Sequence, residues 1–426
     1  MNQQINAFCA FLDQAKSFFH VTENICAMLT AKGYVRLDEG QPWALESGGK
    51  YFVQRNGSSL VAFRIPKESP CGYTMSACHS DRPAFLVKEN GELKGAYTRL
   101  STERYGGMLM YSWMDRPLSI AGRVLVETPN GVERRLIDLD RDIAMMPSLA
   151  IHMNRTVNEG YSWNPAVDSI PLLGSKDVAG LLPQLLEQAA GGRILSHDLY
   201  LYVREPARVW GLNEEYLSAP ALDDLQCVWG CTQGFLNAGE SRNITVLSVF
   251  DSEEVGSNST QGADSTFLSA TLERISRILG LDQDCMLANS FMVSADNAHA
   301  VHPNHPQLSD SGRSVAMNEG VVVKFAATLN YTSDGLSAAV FRKICEKADV
   351  PTQTFYNRAD LRGGATLGHF SLHHVSVPSV DIGMAQLAMH SAYETCGVQD
   401  VLYLEQAMTA YYQSTFIATE NGFMIK

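Results

Sequence analysis

Two mostly apolar runs, NITVLSVF at 243–250 and ANSFMVSAD at 288–296, flank a stretch with helical spacing, STFLSATLERISRILG at 265–280. Runs that do not alternate with polar residues are buried on both faces, and a helix between two of them returns the second strand parallel to the first. An α/β fold around a mostly parallel sheet is therefore expected. QDVLYLEQAMTAYYQSTF reads as the final helix. Near the start, Ile5, Phe8, Cys9, Leu12 and Phe19 follow helical spacing, Thr22 is the expected N-cap of a second helix, and Gly33 closes that helix. YFVQRNGSSLVAF reads as a hairpin turning at Asn56-Gly57.

From about 98 to 212 the pattern changes. Strand-like pieces such as GRVLVET and HDLYLYV are separated by turns, with few helical stretches apart from VAGLLPQLLEQ. The chain divides into a discontinuous α/β unit, 1–97 with 213–426, and an inserted β-rich unit, 98–212. At 426 residues, 45% hydrophobic and 19% charged, it is long enough for two packed units and too apolar for disorder. The net charge of −13 and the lack of any Lys/Arg-rich run leave no electrostatic footprint for nucleic acid or an anionic membrane. The first thirty residues lack the pattern of a signal peptide and no apolar run approaches a bilayer span, so the cytoplasm is expected. Nine cysteines without CxxC spacing argue for reduced thiols over disulfides or a thiolate zinc site. Cys227 and Cys231, one helical turn apart, are read as core packing.

Ligands of open α/β sheets gather at the carboxyl ends of the strands. Five places qualify: His79 and Asp81 after YTMSAC, Asp223 and Asp224 in APALDDL, Glu253 and Glu254 after LSVF, Asp296 after FMVSA, and His390 after VDIGMAQLAM. Imidazoles and carboxylates without thiolates suit Zn, Mn or Co. Burying so many acids among small and apolar residues would be costly unless cations neutralised them.

FLDQAKSFFHVTENICAMLTAKGYVRLDE, HSDRPAFLVK, YGGMLMYSWMDRPLSIAGRV, LAIHMNRTVNEGY, FDSEEVGSNSTQGADS, SADNAHAVHPN and DIGMAQLAMHSAYE carry a resemblance to the M18 metalloaminopeptidases, the aspartyl aminopeptidase family, from about residue 8 to the C-terminus. The resemblance implies an α/β/α zinc-exopeptidase-like catalytic domain interrupted by a β-rich dimerisation domain. It also implies two divalent ions per subunit, zinc foremost with Mn or Co accommodated, peptide substrates, and dimers that build dodecamers. Carried over by position, His79 and Asp296 would hold one ion, Glu254 and His390 the other, and Asp223 would bridge them. Glu253 matches the general base that takes a proton from water and returns it to the leaving amine. Asp81 matches the carboxylate that receives the His79 ring N–H. A cis peptide bond is expected between Asp223 and Asp224.

His152, in the inserted unit, matches a histidine that enters the neighbouring subunit's site; the alternative is packing within its own β unit. Lys324, in GVVVKFAATLNY, matches a lysine near the substrate pocket that would pair with an acidic N-terminal side chain. Ala326 and Leu329-Asn330 depart from the family pattern there, and Lys324 reads equally as a strand-edge lysine facing solvent. His299 and His302 are expected to orient the loop after Asp296. His369, His373 and His374 have no carboxylate at ligand spacing and are read as structural. Gly363, Gly364 and Gly368 suggest a backbone passing close to the site. Two other functions stay open: cleavage of other small amides, and a shell-forming protein that has lost the chemistry, against which the retained ligand types and Glu253 stand.

Overall fold

The computed structural model describes residues 2–312, 314–361 and 363–426. Nine strands form the main sheet, in the order Val35–Leu37, Lys50–Arg55, Ser59–Arg64, Ile244–Phe250, Tyr73–His79, Phe291–Ala295, Ser379–Gly383, Val321–Phe325, Thr352–Tyr356. The central four, from Ile244–Phe250 to Ser379–Gly383, pair in parallel, as the apolar runs require. Antiparallel pairing enters on either side of them, at Ser59–Arg64 and at Val321–Phe325, so the sheet is mixed.

Alternate residues of one strand face opposite cores. Leu247 and Val249 pack with the helices Gln3–Gln14, Phe18–Ala31, Leu222–Asn237, Gly335–Lys347 and Val398–Gln413. Val246 and Phe250 pack instead with Phe267, Leu272 and Ile275 of the helix Phe267–Leu279. Helices therefore cover both faces, which gives an α/β/α sandwich.

The second helix starts four residues before the expected cap. Ser17 occupies the N-cap position, and Thr22 lies inside the helix, its hydroxyl donating to the Gly57 carbonyl at 2.6 Å. That bond ties the helix to the Asn56-Gly57 turn, where both residues have positive φ (52° and 78°) as a tight hairpin demands. Phe19 belongs to this second helix, and the first helix ends at Gln14.

The inserted unit is built on a six-stranded antiparallel sheet, in the order Gly131–Asp138, Leu118–Thr128, Ile194–Val203, Ala84–Leu93, Tyr97–Tyr105, Leu172–Ser175. Its own core includes Phe85, Trp113, Ile120, Leu186 and Leu199. The strand Ala84–Leu93 lies before residue 98 yet is hydrogen-bonded inside this sheet, because Ser80–Pro83 carries the chain directly from one sheet to the other. Arg208–Trp210 pairs with Tyr216–Ala219, in a five-stranded sheet that also holds Glu394–Gly397. No helix among the described residues is long and apolar enough to cross a membrane. All nine cysteines are free; Cys227 and Cys231 are buried in the core, as expected.

Candidate metal centre

Tyr73–His79 lies between the parallel strands Ile244–Phe250 and Phe291–Ala295, in register such that Phe250 faces His79 and Ser294 faces Ala77. The loops bearing His79, Glu253-Glu254 and Asp296 thus leave the same edge of the sheet. Asp223 reaches that edge from the start of the helix Leu222–Asn237, where the Asp223-Asp224 peptide is cis, as expected. His390 follows the strand Ala385–Leu387 in a turn where Ala388 and His390 both have positive φ.

The five expected ligands converge. His79 Nε2 lies 3.7 Å from Asp223 Oδ1 and 4.0 Å from Asp296 Oδ1. His390 Nε2 lies 3.3 Å from both Asp223 Oδ2 and Glu254 Oε1. Two groups of donors, each compact enough to surround one ion, therefore share Asp223: His79, Asp223, Asp224 and Asp296, and Asp223, Glu254 and His390. Donors each about 2.0 Å from a tetrahedral ion stand roughly 3.3 Å apart, so these separations suit a divalent metal. Asp223 Oδ1, Asp224 Oδ1 and Glu254 Oε1 are buried and accept no hydrogen bond among the described residues. Such orphans are costly unless a cation faces them.

Titration shifts carry the same message. Burial, then neighbouring carboxylates, push Glu254 and Asp224 well above the ordinary carboxylate range. Burial pushes Glu253 up to about 8 against the pull of His79. Burial works to lower His390, but the hydrogen bond and charge of Asp223 lift it to about 9, and Asp224 and Asp81 hold His79 well above its usual value against its burial. Without metal the centre attracts protons, the signature of surplus buried negative charge. Donor chemistry, spacing and orphaned oxygens all fit divalent ions.

Glu253 and Glu254 occupy a single 3₁₀ turn, Glu253–Val255, flanked by Ser252 and Gly256 at φ 68° and 96°. This geometry lets neighbouring side chains diverge. Glu254 faces His390, whereas the Glu253 carboxylate lies in the field of His79 and Asp296 and accepts no hydrogen bond among the described residues. Asp81 meets the His79 ring with both its backbone oxygen and its carboxylate. The His79 Nδ1–H lies 3.1 Å from the Asp81 backbone oxygen and 3.4 Å from its carboxylate, while that carboxylate accepts the backbone N–H groups of Glu253 and Glu254, each at 3.1 Å.

Lys324 is not a strand-edge residue. Its strand lies between Ser379–Gly383 and Thr352–Tyr356, its side chain is 2% exposed, and its ammonium donates to the Asp296 backbone carbonyl at 2.6 Å and sits 3.6 Å from the Asp296 carboxylate. His152 is exposed on an irregular segment beside exposed Leu149, Ile151 and Met153, so it does not pack within its own unit. His302 Nδ1 accepts the Asn304 N–H and shapes its loop; His299 is exposed and stands edge-on to Phe355. His373 and His374 share Asp264 Oδ1 at 3.0 and 3.2 Å, a partner distant in sequence that joins the segment after Leu367–Ser371 to the loop following Glu254. Gly368 passes close to Ser294, where an added Cβ would stand 2.6 Å from that side chain.

Glu394 was missed from sequence, and Asp224 was named there without a role. Asp224 Oδ2 accepts the His79 backbone N–H at 3.1 Å. Glu394, fully buried, accepts the backbone N–H of Asp223 at 3.0 Å and of His390 at 2.6 Å, holding two ligands of the second group. The only sequence signal for Glu394 is its place in DIGMAQLAMHSAYE, close after His390.

Paired donor groups at the carboxyl edge of an α/β/α sheet are the arrangement that a metal-dependent hydrolase uses. Residues 11–412 match the Aminopeptidase I zinc metalloprotease (M18) family. The chain is 40% identical over 418 residues to a probable M18 family aminopeptidase 2 of Clostridium acetobutylicum, covering 94% of this chain and 96% of that protein. It is 39% identical over 429 residues to the protein of the same description from Pseudomonas entomophila, covering 97% and 99%. Its fold superposes with a TM-score of 0.92 on a chain of a solved Ape4 and Nbr1 complex, at 31% identity over 96% of this chain and 85% of that one. Chaetomium thermophilum mApe1 gives a TM-score of 0.86 at 29% identity, with 96% of each chain covered. The chain belongs to the M18 family of zinc metalloaminopeptidases and is a peptide hydrolase.

Proposed function

We propose that this protein is a dinuclear aminopeptidase that removes the N-terminal residue of peptides. The observation that carries this is the sharing of Asp223, one oxygen turned toward His79 and the other toward His390. In this reading His79 and Asp296 hold one ion, Glu254 and His390 the other, and Asp223 bridges them. Zinc is the expected occupant of both positions, and Mn or Co suits the same donors. Bound there, such ions lower the pKa of water and polarise a carbonyl.

The chain's own groups do the rest. Glu253, unpartnered and beside the centre, takes a proton from the attacking water and delivers it to the departing amine. Glu394 and Asp224 hold the ligand backbones still. Lys324 spends its charge on Asp296, which favours positioning that ligand over pairing with an acidic substrate side chain. Preference for Asp or Glu at the N-terminus therefore rests on the family resemblance.

We assign dimerisation to the unit built on the six-stranded sheet, with His152 donated to a second copy's site; exposed Leu149, Ile151 and Met153 beside it suit burial in such a contact. Dodecamers follow from the resemblance alone. The cytoplasm is the compartment we propose, given nine unpaired thiols. Elemental analysis, followed by rates on a panel of aminoacyl and N-acylated substrates, tests the reading; cleavage of N-acylated substrates alone would replace it with another amidase.

A further inference from the structure

One short segment of the inserted unit touches both donor groups' supports. The strand Tyr97–Tyr105 ends at Tyr105, whose hydroxyl donates to Asp81 Oδ2 at 2.7 Å. Asp81 is fully buried, and its carboxylate also accepts the Glu253 amide, on Oδ1, and the Glu254 amide, on Oδ2, with His79 Nδ1 3.4 Å from Oδ1. The Tyr105 ring is held between Phe18 and Tyr200, with centroids at 5.1 and 5.8 Å. Gly106 follows at φ 74°, where a Cβ would stand 3.1 Å from Glu254 Cβ, so a side chain here would crowd Glu254 and strain the backbone. The Gly107 carbonyl then accepts the His390 Nδ1–H, and the Leu109 N–H donates to the His390 carbonyl at 3.0 Å.

We propose that Tyr105 is a positioning residue for hydrolysis: acting through Asp81, it fixes the backbone that aims Glu253 and Glu254. The proposal rests on the roles given to those two residues above. The buried Asp81 carboxylate accepts the Tyr105 hydroxyl and two amides and lies beside the His79 ring, in a place that water does not reach. Without the phenol, Oδ2 keeps one donor, the carboxylate gains freedom to turn, and both amides loosen together. The inserted unit would then complete the active site of its own chain as well as meeting a second copy.

Tyr105→Phe keeps the ring between Phe18 and Tyr200 and removes only the hydroxyl. In the full-length enzyme as purified, kcat should fall about tenfold with KM held within about twofold, and amide exchange in a peptide covering 251–257 should quicken about tenfold while the rest of the inserted sheet is unchanged. Asp81→Asn should quicken the same peptide. The idea is overturned if either kcat or exchange at 251–257 is unchanged in Tyr105→Phe, or if Asp81→Asn leaves that peptide unaltered. Faster exchange across the whole inserted sheet with a lowered Tm would make the hydroxyl merely structural and would also overturn it. An unchanged rate in Glu253→Gln would instead sink the assigned base and leave the exchange result standing.

Discussion

The two halves of the metal centre share Asp223 and are otherwise built differently. The His79 half stands on the ends of two parallel strands, with the His79 side chain 1% exposed, a further acid in Asp224 and the cation of Lys324 close by. The His390 half is assembled from turns, with the His390 side chain 32% exposed and held by Glu394 and by the Gly107 carbonyl. A sheet edge fixes the first; hydrogen bonds between loops fix the second. Loop-built ligand sets open more readily, so the His390 half should give up its ion first.

The largest expected effect belongs to neither half. Glu253→Gln should lower kcat by about 10²–10⁴-fold while elemental analysis finds both ions retained; ion loss in that variant would place Glu253 among the ligands and redraw the division. Next is the more open side, where a second copy's His152 would enter. His152→Ala should cost about 10²–10³-fold in kcat, and mixing its subunits with those of Glu253→Gln should restore part of the activity; no recovery after verified subunit exchange would confine His152 to its own protomer. Glu394→Gln should weaken the His390 half about 10–100-fold, read as one ion leaving at lower chelator concentration, and simultaneous loss of both would erase the asymmetry.

The last test concerns stability, not turnover, at a histidine outside the centre, and separates acid unfolding from ion loss. Burial lowers His20 to about 4, and its Nδ1 lies 2.8 Å from Ser17 Oγ. A depressed folded-state pKa contributes stability that is complete above about 6.5 and lost as pH falls toward 4. His20→Leu should flatten that limb by up to about 3 kcal/mol in urea unfolding at pH 7 and pH 4.5. An unaltered slope would mean that His20 titrates normally.

His79, Asp296 and the Glu253-Glu254 pair were legible because each follows an apolar run, and an apolar run locates a strand end. Asp223 was collected with the other acids from the residues, but its bridging role came only by resemblance, since a helix start in LDDL carries no mark of a bridging carboxylate. Lys324 stayed ambiguous because GVVVKF reads alike for an edge strand and a covered one, and what fixes its amine is the carbonyl of Asp296, just past the end of another strand. Tyr105 with Asp81, and Asp264 with His373 and His374, are pairs made by the fold across long stretches of chain, so periodicity could not reveal them. The boundary near 98 leaves out Ala84–Leu93, whose apolar start AFLV reads like another strand of the main sheet, with no composition shift before it.

The passage Ser80–Pro83 is all that separates His79 from the first strand of the inserted unit. A tether so short leaves no slack, so a tilt of one sheet against the other would be felt at the imidazole before any loop could absorb it.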